Sequence, residues 1–580
     1  MSFRAETPIL KEDSSGWTDF ATLDSTPYPA GYRSSLATIS SLYPPSQGSR
    51  HKWAPLSSAE ALPDEDDEFG YPYNHKPGLS QTARSIFPGR GFKNTGCLSL
   101  LIAGILALFI GYPIVNSIVG PPIILNSPYN IGGTNATGQV PQMTGNWGLI
   151  DIDTPHDAYT KPSWTDGRTE MQLVFSDEFN VDGRSFYPGD DPYWEAADLH
   201  YWATKNLEWY DPEAITTKGG SLVITLSAKQ THDLNYEGGM LTTWNKFCFT
   251  GGYFEAAVQL PGSNNVAGLW PAVWAMGNLG RAGYGATTDG VWPYTYDSCD
   301  VGTAPNQTHN GLPLAATADG RDDGDALSFL PGQRLSRCTC SGENHPGPKH
   351  KDGTFVGRAA PEIDVFEAQI SKTLIPEVSQ SAQWAPFNAD YHWTNTTDNF
   401  VVYDASTTQL NSYVGGNTQQ ATSYISLTNP NCYELDGGCF SVYGFEYKPG
   451  FDNGYITWIS NNKATWTIKS GGLGPDTSVG ISARPVPQEP MYLIANLGIS
   501  EGFGTVDVAG LSAQLPVHMR IDYIRVYQPK DSINIGCNPK DFPTADYIKQ
   551  HMEAYTNPNL TTWVDDYKQP WPKSSFLGQC

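Results

Sequence analysis

Residues 362–367 read Glu-Ile-Asp-Val-Phe-Glu, three acids within six positions, interleaved with apolar side chains. In an extended strand alternate residues share a face, so Glu362 and Asp364 point the same way and Glu367 falls on the other side. One bulged residue at Val365 or Phe366 resets the alternation. All three carboxylates then line one face, while Ile363 and one of Val365 and Phe366 enter the core. Clustered carboxylates repel one another, which keeps at least one protonated near neutral pH. Cleavage of a glycosidic bond with retention needs such a set. One carboxylate attacks the anomeric carbon, and a second, first protonated and about 5–5.5 Å away, gives its proton to the leaving oxygen. An acidic solvated face is the plainer alternative, but charges interleaved with buried residues argue for a role.

Such a strand has to sit in a sheet. From about residue 170 onward, short β-rich runs recur between turn residues, among them MQLVFSDEF, GGYFEAAVQL, WPAVWAM, MYLIANLGI and MRIDYIRVYQ. Many short strands without long helices predict an all-β fold, an antiparallel β-sandwich of jelly-roll, concanavalin-like type, over residues 166–530. Residues 280–360 are rich in Gly, Asp and Thr and too long for an ordinary strand connection, which predicts a functional insert or cover. Residues 531–580 form a C-terminal extension packed on the sandwich, with a short helix over 545–555 capped by Thr544.

The segment 97–119 contains 22 uncharged positions from Leu98 to Val119. That is long enough to cross a hydrocarbon core of about 30 Å. It starts too far into the chain for a cleaved signal peptide. Lys76, Arg84, Arg90 and Lys93 precede it, and no Lys or Arg follows until Lys161. The positive-inside rule therefore predicts a type II single-pass membrane protein of the secretory pathway. Residues 1–96 become a disordered cytoplasmic tail, 120–165 a stalk on the far side, and the remainder lumenal or extracellular. Four sequons, at Asn135, Asn306, Asn395 and Asn559, all follow the span and are candidate glycosylation sites. Eight of nine cysteines follow it too, as in a disulfide-bonded domain. Cys432 and Cys439 flank a Gly-Gly turn and are expected to pair. Cys537 and Cys580 bracket the terminal helix and are expected to pair as well. That leaves Cys248 and Cys299 for Cys338 and Cys340. The net charge of −25 excludes nucleic acid as a partner and suits a neutral polysaccharide.

The EIDVFE segment resembles the E-[ILV]-D-x-x-E pattern of glycoside hydrolase family 16, the laminarinase and endo-glucanase family. Three further stretches resemble its motifs in the same order: Asp177-Glu178-Phe179, Gly268–Trp274 (GLWPAVW) and Asp522–Tyr527 (DYIRVY). Within that superfamily the chain is most similar to the fungal β-glucan synthesis-associated proteins, related to the yeast proteins needed for cell-wall β-1,6-glucan. That resemblance takes in the type II anchor, WPYTYDSCDVGT at 292–303 and EAYTNPNLTTW at 553–563. It implies that Glu362 is the nucleophile, Glu367 the acid/base and Asp364 an assisting carboxylate. Trp270 and Trp274 would be cleft aromatics, with core packing the competing role for one of them. No metal or cofactor is expected. The implied partner is a β-glucan polysaccharide or oligosaccharide, and the implied activity is a retaining glycosidase or transglycosylase of cell-wall assembly. The long 280–360 insert departs from many family hydrolases and favours transfer. A plain endo-β-glucanase and a non-catalytic glucan-binding scaffold are the alternatives.

Overall fold

A computed structural model of the chain describes residues 148–318, 320 and 325–580. The tail, the candidate membrane span, Asn135 and the stalk up to residue 147 lie outside them. Among the described residues no helix is long and apolar enough to cross a membrane.

Twelve longer strands carry the fold: β1 (Glu170–Asp177), β2 (Tyr236–Thr242), β3 (Gly252–Gln259), β4 (Leu269–Gly277), β5 (Glu362–Ile370), β6 (Pro376–Trp384), β7 (Gln419–Leu427), β8 (Ser441–Lys448), β9 (Tyr455–Ser460), β10 (Lys463–Lys469), β11 (Met491–Ile499) and β12 (Val517–Pro529). They lie in two sheets. A ten-stranded sheet contains the run β1-β12-β3-β8-β9-β10, and an eleven-stranded sheet the run β7-β6-β5-β4-β11-β2, with short strands at the edges. The pairs within these two runs are antiparallel. The expected two-sheet sandwich is therefore present.

Period-two alternation places the core. Val273 and Ala275 of β4, Ile363 of β5, and Leu493, Ala495 and Leu497 of β11 face inward against Phe254, Phe445 and Trp458 of the other sheet. Their neighbours in sequence point to the outer face of the eleven-stranded sheet. Each large side chain withdrawn from water contributes about 1.5–3 kcal/mol, so a one-residue slip of register would forfeit most of the core.

The outer face is partly covered by a second apolar layer. Met276, Tyr492, Ile494 and Met240 from the sheet meet Leu279 just before the insert, Ala286, Val291 and Leu335 of the insert, and Tyr547, Ala554 and Trp563 of the C-terminal extension. The insert is thus a packed cover. Two of the sequence motifs turn out to be joined: Glu178 of the first forms a two-pronged ion pair with Arg525 of the last strand, at 2.9 and 2.7 Å.

Several expectations need correction. Residues 148–165 were expected to be stalk but pack on the ten-stranded sheet, with Lys161 bound to buried Glu255 and Ser163 to buried Glu446. The helix over 545–555 is broken at His551 into Ala545–Gln550 and Met552–Thr556. Thr544 does not cap it by its side chain. Its hydroxyl donates to the Cys537 carbonyl instead, at 2.6 Å. The disulfides are Cys432–Cys439, as expected, with Cys299–Cys338, Cys248–Cys537 and Cys340–Cys580. Cys537 and Cys580 are not partners. Each ties a different end of the extension, one to the connection between β2 and β3 and one to the insert, because the extension runs back over both. Asn306, Asn395 and Asn559 are all exposed.

Candidate active site

Strand β5 carries the bulge that the acids require. Against β6, Asp364 pairs with Ser381 and Glu367 with Ser379, so Val365 and Phe366 together oppose Gln380. Against β4, the register likewise shifts between Val273 and Trp274. Glu362, Asp364 and Glu367 consequently leave the sheet on its outer face. Ile363, Val365 and Phe366 are all in the core, one residue more than expected, because the bulge turns both of its residues inward.

A bulge leaves backbone groups without ladder partners, and an unpartnered buried carbonyl costs about 1–3 kcal/mol. Buried side chains supply the donors here. The Trp458 indole donates to the Asp364 carbonyl at 2.8 Å, and the Gln380 amide to the Val365 carbonyl at 3.2 Å. Trp458 stacks on Trp466 at 4.1 Å, and the Trp466 indole donates to the Gln380 carbonyl at 3.2 Å. The core side of the sheet therefore holds the kink that presents the acids on the other side.

Each acid has its own partner. The Trp292 indole, from the insert, donates to Glu362 Oε2 at 2.7 Å. The Trp270 indole donates to Glu367 Oε1 at 3.2 Å, and its ring lies parallel to Phe503 at 4.3 Å. Ser381 and Gln383 of β6 donate to Asp364 Oδ2 at 2.8 and 3.0 Å. Asp364 is buried, whereas Glu362, Glu367, Trp270 and Trp292 are each partly exposed. The two tryptophans of the GLWPAVW motif divide. Trp270 stands beside the acids. Trp274 is buried in the outer apolar layer, where its indole donates to Asn496 at 2.7 Å.

Burial raises all three acids, and the Asp364 charge raises the two glutamates further. Glu362 lies well above the usual carboxylate range, pushed first by burial and then by the Asp364 charge. Burial raises Asp364 to about 6, while Gln383, Ser381 and a hydrogen bond with Glu362 hold it down. Burial and the Asp364 charge raise Glu367 from 4.5 to about 8. Asp364 is therefore the first of the three to ionise, and Glu367 keeps its proton at neutral pH, as a proton donor must.

This has a stability consequence. A carboxyl whose pKa is higher folded than unfolded contributes stability below its unfolded value, and that stability is lost as pH rises through the folded value. For Glu367 the window runs from pH 4.5 to about 8. Glu367→Gln should therefore leave stability nearly unchanged at pH 4 and raise it at pH 8, by about 1–3 kcal/mol. Thermal unfolding of both forms at pH 4, 6 and 8 measures this. A difference that does not change with pH would show that Glu367 is not held protonated.

Reading the sequence did not single out Trp292, Ser381, Gln383, Trp458 or Phe503 as site residues. Trp292 opens the 292–303 stretch that carries the family resemblance, but no local pattern gives it a role. Among the described residues no group of His, Cys, Asp and Glu is arranged to hold a metal ion.

The family model for beta-glucan synthesis-associated protein SKN1/KRE6/Sbg1 matches residues 58–580. The beta-glucan synthesis-associated protein KRE6 of Saccharomyces cerevisiae is 46 % identical over 446 residues, covering 76 % of this chain and 58 % of that protein. The chain thus spans little more than half the length of this relative. The endo-1,3-1,4-beta-glycanase EglC of Rhizobium meliloti is 29 % identical over 195 residues, 29 % of this chain and 37 % of that one. Among solved structures, the catalytic domain of an endo-1,3-beta-glucanase (laminarinase) from Thermotoga petrophila aligns over 62 % of this chain and 99 % of its own, at 20 % identity and a TM-score of 0.35.

Proposed function

From the premise that the chain belongs to the beta-glucan synthesis-associated SKN1/KRE6/Sbg1 family, we propose that it is a retaining β-glucan transglycosylase of cell-wall assembly. The observation that carries this reading is the bulged strand, which brings Glu362, Asp364 and Glu367 onto one face with an indole donor on each glutamate. A scaffold that only bound glucan would have no use for three clustered carboxylates, all raised by burial. Similarity to a bacterial endo-1,3-1,4-beta-glycanase supports a β-linked glucan as substrate.

The reaction has two displacements. In the first, Glu362 forms a bond to the anomeric carbon as the glycosidic C–O bond breaks, and the leaving oxygen takes the Glu367 proton. The proton on Glu362 passes to Asp364 as positive charge builds on the sugar. In the second, a sugar hydroxyl attacks the same carbon, the Glu362 bond breaks, and Glu367 takes the hydroxyl proton. Water in that step would give hydrolysis, and the cover formed by residues 280–360 favours the sugar. The span at 97–119 anchors the protein as a type II membrane protein, with the sandwich on the lumenal side.

The test is product analysis. Purified full-length chain is incubated with β-1,3- and β-1,6-linked gluco-oligosaccharides, and the products are followed by mass spectrometry and by NMR of the new anomeric centre. Products longer than the substrate, with β configuration from the first turnovers, are expected. Only shortened products would favour the endo-glucanase reading. An α product would exclude retention.

A further inference from the structure

The face that carries the acids is polar on one side and closed on the other, and Ser381 and Ser423 on the polar side are themselves buried. Toward β6 and β7 its floor is polar. Asp364, Ser381 and Ser423 stand in register on adjacent strands, and the Asn411 amide bonds the Ser423 hydroxyl at 3.1 Å. Beyond them Ile425 is partly exposed and Gln409 exposed. At the two ends of the acid row stand indoles: Trp292 on Glu362, and Trp270, stacked with Phe503, on Glu367. A glucan reaching the acids between these walls therefore runs across the strands rather than along them.

On the other side, β11 is covered along its whole outer face. Tyr492 and Ile494 lie beneath the insert, and the Ala282 amide donates to the Tyr492 hydroxyl at 2.9 Å. Asn496 is held between the Trp274 indole and the Tyr210 hydroxyl, at 2.7 and 3.2 Å. Gly498 lies under Glu208, so closely that a Cβ there would sit 2.2 Å from the Glu208 carboxylate. Glu208 is itself tied down by the Ile499 amide at 2.9 Å and the Asn206 amide at 2.6 Å. The polar floor thus ends at β4, where Trp274 opposite Asp364 is already buried, and β11 beyond it is walled off. An endo-acting groove must let the chain pass through at both sides.

We infer that this protein binds its glucan by a chain end, seated against the wall over β11, and does not act at the middle of a chain. The inference rests on the glucan-active reading above and narrows it, since the bond cleaved then lies one or a few residues from a chain end.

The test uses full-length Glu362→Gln protein and calorimetric binding. The probes are a linear β-glucan oligosaccharide, the same chain capped by a bulky fluorophore at one end or the other, and a cyclic β-glucan of the same linkage. Binding of the linear chain is expected, with loss on capping one end but not the other. The cyclic glucan, which has no end, should bind at least about 100-fold more weakly, a difference of about 2.7 kcal/mol. Cyclic and capped chains binding within about threefold of the linear one would overturn the chain-end inference while leaving the glucan reading intact. If no glucan bound at all, both would fall.

Discussion

Replacing Glu362 by Gln is expected to abolish glucan turnover, by about 10,000-fold or more, and replacing Glu367 by Gln to lower it about 100- to 10,000-fold, without loss of the fold. The substitutions keep size and hydrogen bonding, and the Trp292 and Trp270 indoles keep an oxygen to donate to. The two variants should fail differently. An activated substrate with a good leaving group needs little proton donation in its first step. Glu367→Gln should then accumulate a glycosyl-enzyme on Glu362, seen as a mass increment on the peptide spanning 362–367. Azide should rescue it, giving a β-glycosyl azide. Glu362→Gln should show neither the increment nor the same rescue. The reverse pattern would exchange the two roles. Full turnover in both variants would end the enzymatic reading.

Arg358→Ala should cost about 3–5 kcal/mol, because it leaves a buried carboxylate without its cation. Arg358 is fully buried and clamps Glu489 with two hydrogen bonds, at 2.8 and 2.7 Å. Its remaining nitrogen bonds the carbonyls of Gly347 and Pro543, at 2.7 and 2.8 Å. One side chain therefore joins the insert, the segment leading into β11 and the C-terminal extension. Loosening it should free the cover that presents Trp292 to Glu362, and turnover should fall with stability. Thermal unfolding and limited proteolysis within 280–360 read the two effects. The double variant Arg358→Met with Glu489→Leu removes both charges and should recover at least half of the lost stability. A double variant no better than the single one would show that the carbonyl contacts, not the ion pair, hold the cover.

Some of this architecture could be read directly along the chain, and some could not. The acids announced themselves because three carboxylates interleaved with Ile363, Val365 and Phe366 violate the ordinary separation of charge from core. The bulge followed from counting, since a period of two cannot bring both glutamates onto one face. The same alternation marked the sandwich. The Cys432–Cys439 pair was legible because its loop is local. Cys537 misled because its nearest plausible partner in sequence is not its partner in space: Cys248 lies 289 positions away. Trp270 and Trp274 are equivalent by alternation, and only the layer packed over β4 separates a ring beside the acids from one sealed beneath the cover.

Which groups can do chemistry, and that they share one strand face, is legible along the chain, because residue type and strand period are local properties. What surrounds them is set by packing across the fold. Trp292 comes from 70 residues before Glu362, and the Trp458 donor for the Asp364 carbonyl from 94 residues beyond it. No local pattern encodes contacts at that range. They arise when the insert packs on the outer face and the two sheets close on the core, which fixes where each distant side chain ends, and burial raises the acids.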